Sequence, residues 1–167
     1  TRIEREAAKG RQSGRTQEIQ RLIGRSLRSV VNLEILGERQ IKIDCDVIQA
    51  DGGTRTAAIS GGFVALHESI EVFKKHYNIN KPIIKDYVAA VSTGIINNTA
   101  NLDLDYEEDF NADVDANFVI CESGKIAEIQ VTGEEYFFTD NQFNEMFNLA
   151  KKGISSIIQK QKLVLSE

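Results

Sequence analysis

Cysteine, histidine and proline are scarce: the 167 residues hold two, two and one of them. The thiols, Cys45 and Cys121, lie far apart, each in the middle of an apolar stretch that reads as a strand. Both are expected to be buried and reduced, which excludes a disulfide-stapled secreted scaffold and suits a cytoplasmic protein. No Cys/His spacing matches a zinc site. His67 falls inside an expected helix and His76 at its end, with no serine or cysteine spaced to partner them, so a nucleophile–histidine triad is excluded. No apolar run approaches the ~18 residues that cross a bilayer. The opening TRIEREAAKG is charged, carries no secretory leader pattern and lacks an initiating methionine. The P-loop pattern G-x-x-x-x-G-K-[ST] and the dinucleotide pattern G-x-G-x-x-G are both missing.

What is present reads as one domain over 1–167, without repeats or low-complexity tracts, its one proline (Pro82) in the connection NINKP. The net charge of −5 conceals a polarity. Thr1–Arg28 carries eight Lys/Arg against three Glu, and Asn101–Asp115 carries seven Asp/Glu and no base. The first segment suits polyanions and the second suits a cation, although charge runs are commonly just solvated faces.

Helical spacing of Ile19, Leu22, Ile23, Leu27 and Val30 predicts a helix from Thr16 to about Asn32. Alternation from Gln40 to Gln49, with Ile41, Ile43, Cys45 and Val47 on one face, predicts a strand. A second helix is expected from about Thr54 to His76, on a stripe of Phe63, Leu66, Ile70 and Phe73. Its first half, AAISGG, is small enough for close backbone approach. Val88–Ile96 is expected to form a strand, and Asn117–Glu122 with Ile126–Val131 a hairpin about Ser123-Gly124. Asp140–Gln161 closes the chain as an amphipathic helix. The pattern is mixed α and β, with the sheet expected to be covered on one side.

Two stretches carry chemistry. In DVIQADGGTRTAAISGG an expected strand runs into two glycines and a helix start. Unpaired N–H groups there carry partial positive charge, glycines admit an anion, Thr54 offers a hydroxyl and Arg55 a charged fork. The plainer reading is an ordinary turn with Thr54 as N-cap. In the second stretch, Asp103–Asp115, carboxylates suit a hard divalent cation. An EF-hand over Asp109, Asn111 and Asp113 fails, because Val114 stands at the glycine position and Ile120 at the glutamate position. On a strand, Asp113 and Asp115 would share a face, with Asp109 where the strand begins. A basic start, a phosphate-type turn and an acidic patch together are the parts of phosphoryl chemistry on a polyanion.

The strings SGRTQEIQRLIGRSLRSVV, LGERQIKIDCDVIQADGGTRTAAISG and LDLDYEEDFNADVDANFVI resemble the ribonuclease PH family, bacterial phosphorolytic 3′-to-5′ exoribonucleases that trim transfer RNA precursors. The resemblance covers essentially the whole chain. It implies an α+β fold of ribosomal protein S5 domain 2-like type, a mixed sheet with helices packed on it. Roughly the first third of a family chain, with several strands, has no counterpart here. The resemblance places inorganic phosphate, the attacking co-substrate, at Gly53, Thr54 and Arg55, with Arg15 reaching the same ion. It makes Asp109 and Asp115 the catalytic acids and the ligands of magnesium or manganese. It implies a homohexamer, a trimer of dimers, in which Arg2 and Arg5 serve subunit contacts and RNA approach. GEEYFF (Gly133–Phe138) and Val131 depart from the family pattern at positions expected to affect packing, and variation at Gly62 and Phe63 is expected to have no effect. A non-catalytic RNA-binding ring subunit and an inactive gene fragment remain as alternatives.

Overall fold

The computed structural model describes residues 10, 12–133 and 137–166. Ser13 starts helix α1 (Gly14–Ser29), its hydroxyl accepting the Thr16 N–H at 3.1 Å. The apolar stripe carries Leu22 and Leu27 into the core, with Val30 and Val31 just beyond the helix. After the single turn α2 (Leu33–Leu36), helix α3 (Thr54–Tyr77) runs for 24 residues. Phe63, Leu66 and Ile70 of its stripe are buried, and Phe73 packs at the margin. Strand β1 (Val88–Ile96) returns as β2 (Thr99–Leu102) through Asn97-Asn98, both at positive φ. That two-residue geometry matches strand twist, and asparagine tolerates it. The short helix α4 (Tyr106–Phe110) leads to β3 (Val114–Cys121), which turns at Ser123-Gly124 into β4 (Ile126–Gly133). Helix α5 (Asp140–Leu165) closes the chain behind a capping box of Thr139 and Gln142.

The sheet order is β2-β1-β3-β4, and all three described pairings are antiparallel, where the resemblance implies a mixed sheet. The expected one-sided cover is corrected: helices lie on both faces. Val88 and Ala90 of β1, with Val119 and Cys121 of β3, join the core under α1 and α3. Ala89, Val91 and Ile95, with Ala116, Phe118 and Ile120, join Met146, Ala150, Ile154 and Ile158 of α5. β1 is buried along both sides, so it reads VAAV without alternation. Gln161 of α5 ties the layers, donating to Ser60 O at 2.9 Å and Val88 O at 3.1 Å.

The strand expected at Gln40–Gln49 is not formed. Among the described residues no strand pairs with this segment, and alternation makes a strand only when the backbone has a lateral partner. Ile41 and Ile43 still pack against the α1–α3 core. Cys45, expected to be buried, is exposed, whereas Cys121 is buried as expected. Among the described residues no helix is long and apolar enough to cross a membrane.

Candidate active site

The sheet face under α1 and α3 changes character along its length. Cross-strand register sets Val88 opposite Cys121 and Ala90 opposite Val119, then Ser92 opposite Asn117 and Gly94 opposite Asp115. On β4, Gln130 stands beside Asn117 and Thr132 beside Asp115. Side chains paired across a sheet share a face. The apolar end of that face therefore gives way to a polar end, and the polar end meets the start of α3. An open cleft of about 440 Å³ forms there, lined by Glu18, Arg55, Asp115, Asn117, Gln130 and Thr132, among others.

Gly53 is the N-cap of α3, at φ 68, in the left-handed region that favours glycine, and no side chain caps the helix. Thr54, expected as the cap in the plainer reading, is instead the first helical residue. The helix's first N–H groups have no partner within the helix itself. Gly52 is required by space, since a Cβ there would stand 1.9 Å from the Leu104 carbonyl oxygen. The turn thus lies flat on the backbone of the acidic segment. Asp51 fastens the contact: its Oδ1 accepts the Gly52 N–H at 2.9 Å and the Tyr106 N–H at 2.7 Å.

Arg55 is partly buried, and its Nη1 donates to Glu18 Oε1 at 3.0 Å. The contact uses one of five guanidinium donors and fixes the fork beside the cleft. Sequence reasoning missed Glu18. It lies 37 positions from Arg55, and nothing in a polar helical face marks it before the fold brings α1 across α3. Arg15 is exposed, one turn before Glu18 on α1, and lines a separate groove between α1 and residues 39–47. The structure therefore brings Arg55 and Asp115 to one cleft, with Gly53 and Thr54 at the helix start, and leaves Arg15 in the adjoining groove.

Asp109 departs from its expected place. It is an exposed residue of α4 rather than a residue at the start of a strand. Asp105 accepts the Glu108 N–H at 2.8 Å while Glu108 accepts the Asp105 N–H, a capping box that turns the segment helical. Asp113 stands one residue before β3, its N–H donating to Ile95 O at 2.8 Å, so only Asp115 lies within the strand. Among the described residues no three His, Cys, Asp or Glu side chains gather to hold a metal ion. Magnesium, however, is commonly bound by one or two carboxylates together with substrate phosphates, and Asp115 on the cleft wall suits that donor set. Arg2 and Arg5 lie outside the described residues.

Neither thiol is a candidate nucleophile. Partial desolvation by neighbouring residues, then Asp44, pushes the Cys45 thiol above its ordinary pKa although it reaches solvent, and burial, then Asp86, does the same at Cys121.

Replacing Asp51 by alanine is expected to release α4 from the turn. Stability should fall by roughly 1 kcal/mol, the weight of a lost hydrogen bond, while asparagine, which keeps an acceptor oxygen, retains most of it. Thermal melting of the two variants checks this.

Residues 2–70 match the 3′ exoribonuclease family, domain 1, and residues 86–153 match its domain 2. The chain is 54% identical to Ribonuclease PH of Methylocella silvestris over 166 residues, 99% of this chain and 70% of that one. It is 57% identical to Ribonuclease PH of Rhodospirillum rubrum over 166 residues, 99% of this chain and 69% of that one. Among solved structures it resembles rice (Oryza sativa) Rrp46, with TM-score 0.68 and 16% identity, over 93% of this chain and 68% of that one. It also resembles an Archaeoglobus fulgidus exosome chain, solved with RNA bound to the active site, with TM-score 0.67 and 15% identity, over 91% of this chain and 63% of that one.

Proposed function

The chain belongs to the ribonuclease PH family, and from that premise we propose that it is a phosphorolytic 3′-to-5′ exoribonuclease that trims transfer RNA precursors with inorganic phosphate. The observation that carries the reading is the convergence of Arg55 and Asp115 on one cleft at the uncapped start of α3.

Phosphate is a weak nucleophile that must approach a phosphodiester of like charge. The helix start at Gly53 and Thr54 and the guanidinium of Arg55 supply donors and positive charge, which offset the repulsion and hold the ion for in-line attack. Glu18 keeps the guanidinium in place. A new P–O bond forms from phosphate to the terminal phosphorus, and the bond to the neighbouring 3′ oxygen breaks. The phosphate's own proton passes to that departing oxygen, and Asp115, which lines the cleft, is read as the group that relays it. The products are a nucleoside diphosphate and an RNA shorter by one nucleotide. Magnesium or manganese held by Asp115, with Asp109, would neutralise charge on the transferred phosphoryl group. Arg15, one turn from Glu18, is read as a second cation for the phosphate.

We read residues 1–167 as one domain, since β1 contributes side chains to both core clusters. The proposed assembly is a homohexameric ring, a trimer of dimers, in the cytoplasm, with Arg2 and Arg5 serving subunit contacts and RNA approach.

The test incubates the protein with a 3′-extended transfer RNA precursor and magnesium, with or without phosphate. Nucleoside diphosphate released only with phosphate supports the reading. Monophosphate released without it indicates hydrolysis, and RNA binding with no release indicates a non-catalytic subunit.

A further inference from the structure

We propose that Ser92 is a further phosphate-binding residue, its hydroxyl donating to an oxygen of the inorganic phosphate seated on the first turn of α3. The inference rests on the phosphate reading of that turn and adds a residue from the sheet to it.

Ser92 is 3% exposed, and its Oγ has no hydrogen-bond partner among the described residues. Its main chain is well held: it pairs with Asn117 across β1 and β3, and its carbonyl accepts the Asp103 N–H at 2.8 Å. The side chain belongs to the same sheet face as Asn117 and Asp115, two residues that line the cleft. Its hydroxyl points at the turn, since a Cβ built on Gly53 would stand 3.3 Å from Ser92 Oγ. Thr56 Oγ1 is 3.2 Å from the same point but is committed, donating to Gly53 O at 2.8 Å. Asp103 Oδ1, at 3.9 Å, is the negative atom there and limits how deeply an anion can sit.

A buried hydroxyl without a partner costs stability, and folded proteins rarely leave one so. Alanine occupies two neighbouring positions of this strand, Ala89 and Ala90, so a residue without a hydroxyl packs here readily. The hydroxyl is therefore free to donate to a ligand seated at the turn. The glycine at 53 leaves an approach to it beside the uncapped helix start, where an anion would be held. Thr93 also lacks a partner for its hydroxyl, but strand alternation turns its side chain to the opposite face, away from the cleft.

The test compares Ser92→Ala with Arg55→Ala in the intact protein, by thermal melting with and without inorganic phosphate and by the phosphate dependence of RNA trimming. Because the hydroxyl has no partner among the described residues, Ser92→Ala is expected to melt at the same temperature or higher without phosphate. Its phosphate KM should rise about tenfold, and the phosphate-induced rise in melting temperature should shrink. A lowered melting temperature without phosphate would make Ser92 structural and overturn the proposal. An unchanged phosphate KM in Ser92→Ala, with a raised one in Arg55→Ala, would overturn the role of Ser92 and leave the phosphate site standing. Unchanged values in both would remove the phosphate site and this proposal with it.

Discussion

Asp115→Asn is expected to lower turnover by roughly 10³-fold, within the range of a lost general acid–base group, while the melting temperature stays within a few degrees. The substitution keeps shape and removes charge. Asp115 stands on β3 between Gly94 of β1 and Thr132 of β4, so neither cross-strand neighbour is a bulky apolar side chain. Both roles proposed for it, proton relay and ligand to a divalent ion, need the ionised carboxylate and fail together in the amide. Single-turnover assays at saturating phosphate read the effect on chemistry alone. A variant within a few-fold of the parent rate would take Asp115 out of the reaction.

Arg55→Ala is the second large expected effect: kcat/KM for phosphate should fall roughly 10²-fold, the weight of one preorganised charged donor, with RNA affinity little changed. Arg55→Lys should recover only part of this, because an ammonium supplies a point charge without the planar fork. Glu18 sharpens the expectation. With the guanidinium gone, its carboxylate faces the cleft unopposed and adds repulsion toward the phosphate dianion. The double variant Arg55→Ala with Glu18→Gln should therefore bind phosphate better than Arg55→Ala alone. Phosphate titrations of the three variants check the order.

The close turn at Gly52-Gly53 was legible in the sequence because its determinants are local. Two glycines between an apolar stretch and a helical stripe announce a close turn, and Arg55 follows directly. Helices α1, α3 and α5 and the β3–β4 hairpin were legible for the same reason, through periodicity and turn residues. Three things were not. The strand expected at Gln40–Gln49 has the right alternation, but pairing is a property of two segments, and no described strand lies beside it. The acidic segment was read as a strand approach, yet Asp105 and Glu108 form a reciprocal cap that costs little and turns it into α4. The cleft itself is a product of register: Asp115, Asn117, Gln130 and Thr132 meet Arg55 only once β3 is flanked by β1 and β4 and α1 crosses α3. The orphan hydroxyl of Ser92 belongs to the same class, since partnership cannot be read one residue at a time.

Radiolabelled orthophosphate gives the most direct measurement. Incubated with the protein, magnesium and an unlabelled 3′-extended transfer RNA precursor, the label is expected in the terminal phosphate of the released nucleoside diphosphate. Release of unlabelled nucleoside monophosphate at the same rate with and without phosphate would contradict the assignment of the turn at Gly53 as the seat of the attacking ion.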